Sequence, residues 1–242
     1  MRGYRGVRSR AGALVSDGEG ASMDAFAAGD EAVLVSRRLP GVLVRVGADR
    51  VEATRRARAD GARVVVLDDG FQHRRLARDA DVVAVDDVDR PDRDGIVLRE
   101  GSGALARAHV LAVRGATSLP DDPRAFGFDL VPEALVDSFL HPIGMPADIE
   151  GARVVVACAI GRPDRFVRTV RGLGAQIVTV VAGRDHGPIA ARAAAAARGA
   201  DRIVTTEKDL VREPREWERL PVVGLRVHVA LGAGKERLLA AI

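Results

Sequence analysis

Short β-branched runs recur along the chain, each followed by a stretch with helical spacing, and this alternation constrains the fold more than any other feature. Alternating strands and helices are typical of a mainly parallel sheet covered by helices. We therefore predict an α/β fold. The predicted strands span residues 42–46, 63–67, 81–85, 110–113, 153–159, 176–181, 202–205 and 222–229. The predicted helices span residues 51–60, 164–173, 190–198 and 235–242.

A repeated hexapeptide suggests that the chain has two halves of similar design. Gly-Ala-Arg-Val-Val-Val occurs at 61–66 and again at 151–156, so each half has a central strand introduced in the same way. The irregular segment 137–150 contains two prolines and reads as a boundary. We predict one α/β lobe over residues 1–140 and a second over 148–242. Residues 8–29 show no periodicity and are predicted to form a mobile loop.

Composition excludes several classes of protein. No apolar stretch approaches the roughly 20 residues that span a bilayer, so a soluble chain is expected. The single cysteine, Cys158, favours a reducing compartment. A net charge of +3 and 3% aromatic residues argue against nucleic acid as a partner. The basic residues are almost all arginines, which reflects either genome bias or a phosphate-bearing ligand.

Two adjacent carboxylates follow the predicted strand 63–67. Asp68-Asp69-Gly70 stands at the edge where α/β proteins keep their ligands, and such acids hold Mg²⁺ in phosphoryl-transfer enzymes. The alternative is an ordinary turn that ends a strand. The donor-rich run 71–75 that follows shifts the balance towards a phosphate site.

Two further clusters offer acid–base chemistry. Asp30-Glu31 follows Gly29, and Asp185-His186 lies just past the predicted strand 176–181. A solvated helix cap and a surface turn are the alternatives for these clusters. If the two lobes face each other, Asp30 and His186 meet across the cleft and form an acid–base pair.

Other motifs are less informative. Thr206-x-x-Asp209 is typical of a helix start, with Lys208 then near a ligand. The histidines show no zinc-ligand spacing. No Gly-x-x-x-x-Gly-Lys-[Ser/Thr] phosphate loop occurs in the sequence.

Taken together, the motifs resemble those of the tetraacyldisaccharide 4'-kinase family, the lipid A kinases of Gram-negative bacteria. Their order covers essentially the whole chain, and Asp-Asp-Gly-Phe-Gln-His at 68–73 is the most specific of them. The other motifs are Arg-Gly-Tyr at 2–4, Gly-Asp-Glu at 29–31, Asp-Arg at 49–50, Leu-Arg-Glu at 98–100, Asp-His at 185–186 and Thr-Glu-Lys-Asp at 206–209.

The resemblance implies a fold, an activity and a location. The fold would be two α/β/α lobes of the P-loop NTPase-like type. The activity would be transfer of the ATP γ-phosphate, with Mg²⁺, to the 4'-hydroxyl of an acylated glucosamine disaccharide 1-phosphate. The enzyme would act at the cytoplasmic face of the bacterial inner membrane as a peripheral protein.

The resemblance also implies roles for individual residues. Asp30 would accept the proton of the sugar hydroxyl, with His186 as its partner in a dyad. The metal would be held by Asp68, Asp69 and Glu100. The nucleotide would be bound by Asp68, Asp69, Gln72 and Arg99, and the sugar substrate by Arg50 and His73.

Family members carry the phosphate loop upstream of the Arg-Gly-Tyr motif, which here follows Met1 directly. We therefore expect the first lobe to be N-terminally incomplete and the natural start to lie upstream, so that activity of the 242-residue chain alone would be doubtful. The alternative is a non-catalytic remnant that binds the acylated disaccharide phosphate or a protein partner.

Overall fold

A computed structural model describes residues 1, 3, 6–8, 11–86, 102–115 and 121–241. Within these residues the strands are β1 (Ala13–Ser16), β2 (Val44–Val46), β3 (Val82–Asp86), β4 (Val110–Arg114), β5 (Ala125–Val136), β6 (Pro142–Gly144), β7 (Arg153–Cys158), β8 (Gln176–Ala182), β9 (Arg202–Thr206) and β10 (Val222–Leu231). The helices are α1 (Ala25–Ala28), α2 (Asp30–Arg38), α3 (Arg50–Ala59), α4 (Pro163–Gly172), α5 (Ala190–Ala196), α6 (Glu207–Arg212), α7 (Pro214–Trp217) and α8 (Lys235–Ala241). Short 3-10 helices span Ser102–Arg107 and Pro146–Ile149.

The chain divides into two compact units, each made of two separate segments. The first unit comprises Met1–Asp69 and Pro132–Arg226, and the second comprises Gly70–Val131 and Val227–Ile242. Each compact unit therefore contains residues from both halves of the sequence. The division into lobes at 1–140 and 148–242 stays a prediction.

The sheet of the first unit is built around β7. Strands β10, β9, β7 and β8 lie side by side in that order and are parallel. Alternate residues of β7 enter two different cores, because successive side chains of a strand point to opposite faces. Val155 and Ala157 pack in one core with α5, and Val154 and Val156 pack in the other with α4. Because β7 is buried on both faces, its residues 154–158 form a continuous apolar run.

Residues 11–29 contain a strand and a helix, where the sequence predicted a loop without regular structure over residues 8–29. Strand β1 pairs antiparallel with β2, and α1 follows it. Asp24 caps α1 by accepting a hydrogen bond from the backbone N–H of Ala27 at 2.8 Å. The segment lacks periodicity because both elements have only four residues, too few to show a pattern.

The second unit is smaller. Strands β3 and β4 are parallel, and β4 also pairs parallel with the first part of β5. Its apolar contacts form two small clusters, one with Leu111 and Val113 and the other with Val110 and Phe126. Helix α8 packs Leu238 against the second cluster.

The predicted strands are confirmed with small shifts at their ends, except for residues 63–67, where the prediction is wrong. This segment forms no strand, and Val64 and Val66 are 81% and 87% exposed. No described strand pairs with it, and a β-branched run without a ladder partner cannot satisfy its backbone as a strand. The turn predicted at Asp68-Asp69 is present, with Asp69 at φ 51°.

The repeated hexapeptide allows a matched test of this difference. We expect Val156→Thr to lower the free energy of unfolding by about 1–3 kcal/mol because it buries a hydroxyl in the core. We expect Val66→Thr, at the same position of the repeat, to change it by less than about 0.5 kcal/mol. Urea denaturation of both variants measures this, and equal losses would contradict the exposed placement of Val66.

No helix in the described ranges is long and apolar enough to cross a membrane.

Candidate active site

Asp30 enters the site through a sharp junction between α1 and α2. Gly29 joins the two helices with φ 90°, a backbone conformation that residues with a side chain rarely adopt. The junction makes Asp30 the first residue of α2, where a carboxylate is stabilised by the helix dipole. Asp30 is only 4% exposed, so the alternative of a solvated cap is wrong for this residue.

His186 is the partner of Asp30. It follows β8 and adopts φ 59°, while its backbone N–H donates to the carbonyl of Ala159 at 3.1 Å. Its Nδ1 lies 2.9 Å from Oδ2 and 3.1 Å from Oδ1 of Asp30. The structure thus brings together the two residues predicted to form an acid–base pair, and both belong to the first compact unit.

Lys208 contacts the other side of the imidazole. Its Nζ lies 3.3 Å from Nε2 of His186 and donates to Oε1 of Glu31 at 3.0 Å. An ammonium group can only donate, so Nε2 is the acceptor and Nδ1 carries the proton that faces Asp30. Asp185 is 3.9 Å from the same ammonium. The imidazole therefore lies between the carboxylate of Asp30 and the ammonium of Lys208.

Arg212 is the main cation beside Asp30. Its Nε and Nη2 donate to Oδ2 of Asp30 at 3.1 and 2.7 Å. Burial alone raises the pKa of Asp30, but hydrogen bonds from Arg212 and His186 and the nearby charge of Lys208 outweigh it. The pKa of Asp30 therefore lies below its ordinary value, and the carboxylate is ionised at neutral pH.

Asp68 and Asp69 form a second acidic group in the same unit. Burial raises the pKa of Asp68, and the neighbouring carboxylates of Asp69 and Glu31 raise it further. Like charges held close together in this way are stabilised by a bound cation. Among the described residues no group of three or more histidine, cysteine, aspartate or glutamate side chains forms a ready metal site.

Arg50 supports the turn that carries these acids. It is 3% exposed, and its guanidinium donates to the carbonyls of Gly47 at 3.1 Å and Asp68 at 3.2 Å. Its position at the start of α3 follows from Asp49, whose carboxylate caps that helix by accepting from two backbone N–H groups. A role for Arg50 in substrate binding stays a prediction.

Four further predicted site residues are Gln72, His73, Arg99 and Glu100. Gln72 and His73 belong to the second compact unit, where Gln72 is exposed and the carbonyl of His73 accepts a hydrogen bond from Arg78 at 2.8 Å. Arg99 and Glu100 lie outside the described residues.

Sequence reasoning missed Arg212 and the buried role of Asp209. Thr206 caps α6 as its spacing predicts, accepting from the backbone N–H of Asp209 at 3.2 Å. The Asp209 side chain, however, is fully buried and accepts from Nη1 of Arg212 at 2.6 Å. The spacing of three residues between them is one helical turn, which was the available signal.

Comparison with known proteins agrees with this architecture. The family model for tetraacyldisaccharide-1-P 4'-kinase matches residues 1–242. The tetraacyldisaccharide 4'-kinase of Anaeromyxobacter dehalogenans strain 2CP-C is 39% identical over 272 residues, which cover 100% of this chain and 71% of the relative. That of Syntrophus aciditrophicus strain SB is 34% identical over 263 residues, covering 94% and 70%.

A solved structure gives the same result for the fold. The crystal structure of the "apo" form of LpxK from Aquifex aeolicus in complex with ATP superimposes with a TM-score of 0.76 at 22% identity, over 99% of this chain and 77% of that one. The fold is thus that of an α/β protein with a mainly parallel sheet, as predicted. The chain belongs to the tetraacyldisaccharide-1-P 4'-kinase family. These matches give no support to the alternative of a non-catalytic remnant.

Proposed function

We propose that the chain is a kinase that transfers the γ-phosphate of ATP to the 4'-hydroxyl of a tetraacyldisaccharide 1-phosphate in lipid A synthesis. Family membership supports the reaction. The structural observation that carries it is the hydrogen bond between Asp30 and His186, which are 156 residues apart in the chain. Phosphoryl transfer depends on placing the nucleophile and on neutralising charge, and the acid–base pair adds a group that accepts the proton of the attacking hydroxyl.

The Asp30–His186 pair is proposed to accept the proton of the attacking hydroxyl. A general base has to be deprotonated at the working pH, and the lowered pKa of Asp30 meets that condition. Nδ1 of His186 lies 2.9 Å from this carboxylate, so the two side chains are placed to pass a proton between them. Lys208, next to Nε2, supplies a positive charge where the phosphates of the nucleotide would approach.

Asp68 and Asp69 are proposed to hold Mg²⁺. Carboxylate oxygens are the ligands that Mg²⁺ prefers. Burial, and then the neighbouring carboxylates of Asp69 and Glu31, raise the pKa of Asp68, and a bound cation would favour its ionised form. A Mg²⁺ ion held by Asp68 and Asp69 would supply positive charge to the phosphate oxygens. The chain itself supplies the turn at Asp68-Asp69, and Arg50 stabilises this turn by donating a hydrogen bond to the backbone carbonyl of Asp68.

The direct test of the proposed function is transfer of radiolabelled γ-phosphate from ATP to purified tetraacyldisaccharide 1-phosphate. We expect a labelled bisphosphate product that forms only when both substrates are present. If labelled lipid is absent while a related kinase labels it in the same assay, the proposal fails.

The substrate is an amphiphile, so we also propose that the protein works at the cytoplasmic surface of the inner membrane.

The metal assignment makes a separate prediction. Asp68→Asn should raise the Mg²⁺ concentration needed for half-maximal activity at least about tenfold, because it removes one anionic ligand. Asp164→Asn is the matched control, since Asp164 is a surface residue paired with Arg168. An unchanged Mg²⁺ requirement in Asp68→Asn would remove Asp68 from the metal site.

A further inference from the structure

Arg212 holds Asp30 more firmly than any other described side chain. Two of its nitrogens donate to one oxygen of the carboxylate, and the arginine side chain is 11% exposed. The remaining oxygen of Asp30 accepts from the backbone N–H of Glu31 at 2.9 Å. Together these contacts leave the carboxylate one orientation, with its edge towards Nδ1 of His186.

Arg212 is itself held in place by hydrogen bonds to residues other than Asp30. Its Nη1 donates to Oδ1 of the fully buried Asp209 at 2.6 Å and to the carbonyl of Gly187 at 3.0 Å. Asp209 accepts in turn from the hydroxyl of Thr206 at 2.6 Å and from the backbone N–H of Ala159. All three nitrogens of the guanidinium donate to a partner, so the group is preorganised rather than free to rotate.

The contact with Gly187 links the same guanidinium to the loop that carries His186. One side chain therefore contacts both halves of the acid–base pair, Asp30 through its carboxylate and His186 through the next residue's carbonyl. The charged groups that face Asp30 are Arg212, His186 and Lys208, with Glu31 beside it and Asp209 behind Arg212.

We infer that Arg212 is a positioning residue of the phosphoryl-transfer site, which orients Asp30 and the His186 loop and which Asp209 anchors. The inference rests on the proposed function of the Asp30–His186 pair. A guanidinium is suited to this task because its planar set of donors reaches Asp30, Asp209 and Gly187 at once. A lysine has a single nitrogen and cannot make all three contacts with this geometry.

The test compares Arg212→Gln and Arg212→Lys with Arg226→Gln. Arg226 is a matched control because it also pairs with α6, donating to Glu207 at 2.8 Å and to the carbonyl of Leu140, without contacting Asp30. We expect kcat to fall about 10–100-fold in Arg212→Gln, with the KM for ATP little changed, and to fall less in Arg212→Lys. Arg226→Gln should keep its kcat.

The pH profile separates positioning from simple support of the fold. Because Arg212 lowers the pKa of Asp30, its removal should move the acid limb of kcat to higher pH, and guanidinium ion in the buffer should partly restore the rate. The proton resonance of the His186 ring N–H, measured without substrate, should shift in Arg212→Gln and stay in place in Arg226→Gln.

The outcomes distinguish the two levels of the proposal. Equal loss of kcat in Arg212→Gln and Arg226→Gln, or an unmoved acid limb and ring N–H resonance, would overturn the positioning role of Arg212 alone. Full activity of a variant lacking the Asp30 carboxylate would instead overturn the proposed function of the pair, whatever Arg212 does.

Discussion

Replacement of Asp30 by asparagine is expected to lower kcat about 1,000-fold, within the range that removal of a general base causes. Asparagine keeps the shape of the side chain but carries no charge, and one of its two polar atoms becomes a donor. With its oxygen in the place of Oδ2 it can still accept from Arg212 and His186, but its NH2 group then faces the backbone N–H of Glu31, which is also a donor. Steady-state phosphate transfer to the lipid substrate measures the effect.

Asp24→Asn provides the control for this substitution. Asp24 lies six residues earlier and caps α1, and asparagine caps helices as well as aspartate does. We expect this variant to keep both its kcat and its stability. If Asp30→Asn retained a kcat within tenfold of the unaltered protein while remaining folded, Asp30 would have no part in proton transfer.

Trp217→Ala is expected to lower the free energy of unfolding by about 3–5 kcal/mol, the usual cost of deleting a large buried aromatic side chain. Trp217 is fully buried in the core of the first compact unit. Its Nε1 donates to the backbone carbonyl of Asp209 at 3.0 Å, so the ring also supports the helix that carries Lys208 and Arg212. Urea denaturation followed by circular dichroism measures the change.

Two further variants calibrate this expectation. Trp217→Phe keeps most of the ring and loses the hydrogen bond, so we expect a loss of about 1–3 kcal/mol. Phe26→Ala removes an aromatic ring that is 75% exposed and should cost less than about 0.5 kcal/mol. A loss in Trp217→Ala no larger than that in Phe26→Ala would contradict the burial of the tryptophan.

The repeated hexapeptide shows what local sequence can and cannot determine. Residues 151–156 run into β7, where Val154 and Val156 are fully buried between β8 and β9. Residues 61–66 have the same six side chains and form no strand. The pattern predicts the preference of the backbone, whereas neighbouring strands decide whether that preference is realised.

The candidate site likewise contains residues that the sequence predicted and one that it did not. Asp30 and His186 were predictable as a pair because their motifs, in order, resemble those of a known family. Their hydrogen bond is consistent with that expectation. Arg212 was not singled out, because its local signal, a spacing of three residues from Asp209, is common in an arginine-rich chain. Only folding reveals that its guanidinium lies between Asp30 and Asp209.

The distance along the chain between Asp30 and Arg212 also has a consequence for biosynthesis. The two residues are 182 positions apart, an interval that takes about 9–36 s to translate at about 5–20 residues per second. During that time Arg212 has not yet been synthesised. The contact of Arg212 with the acid–base pair therefore forms late, after β7, β8 and β9 have been synthesised.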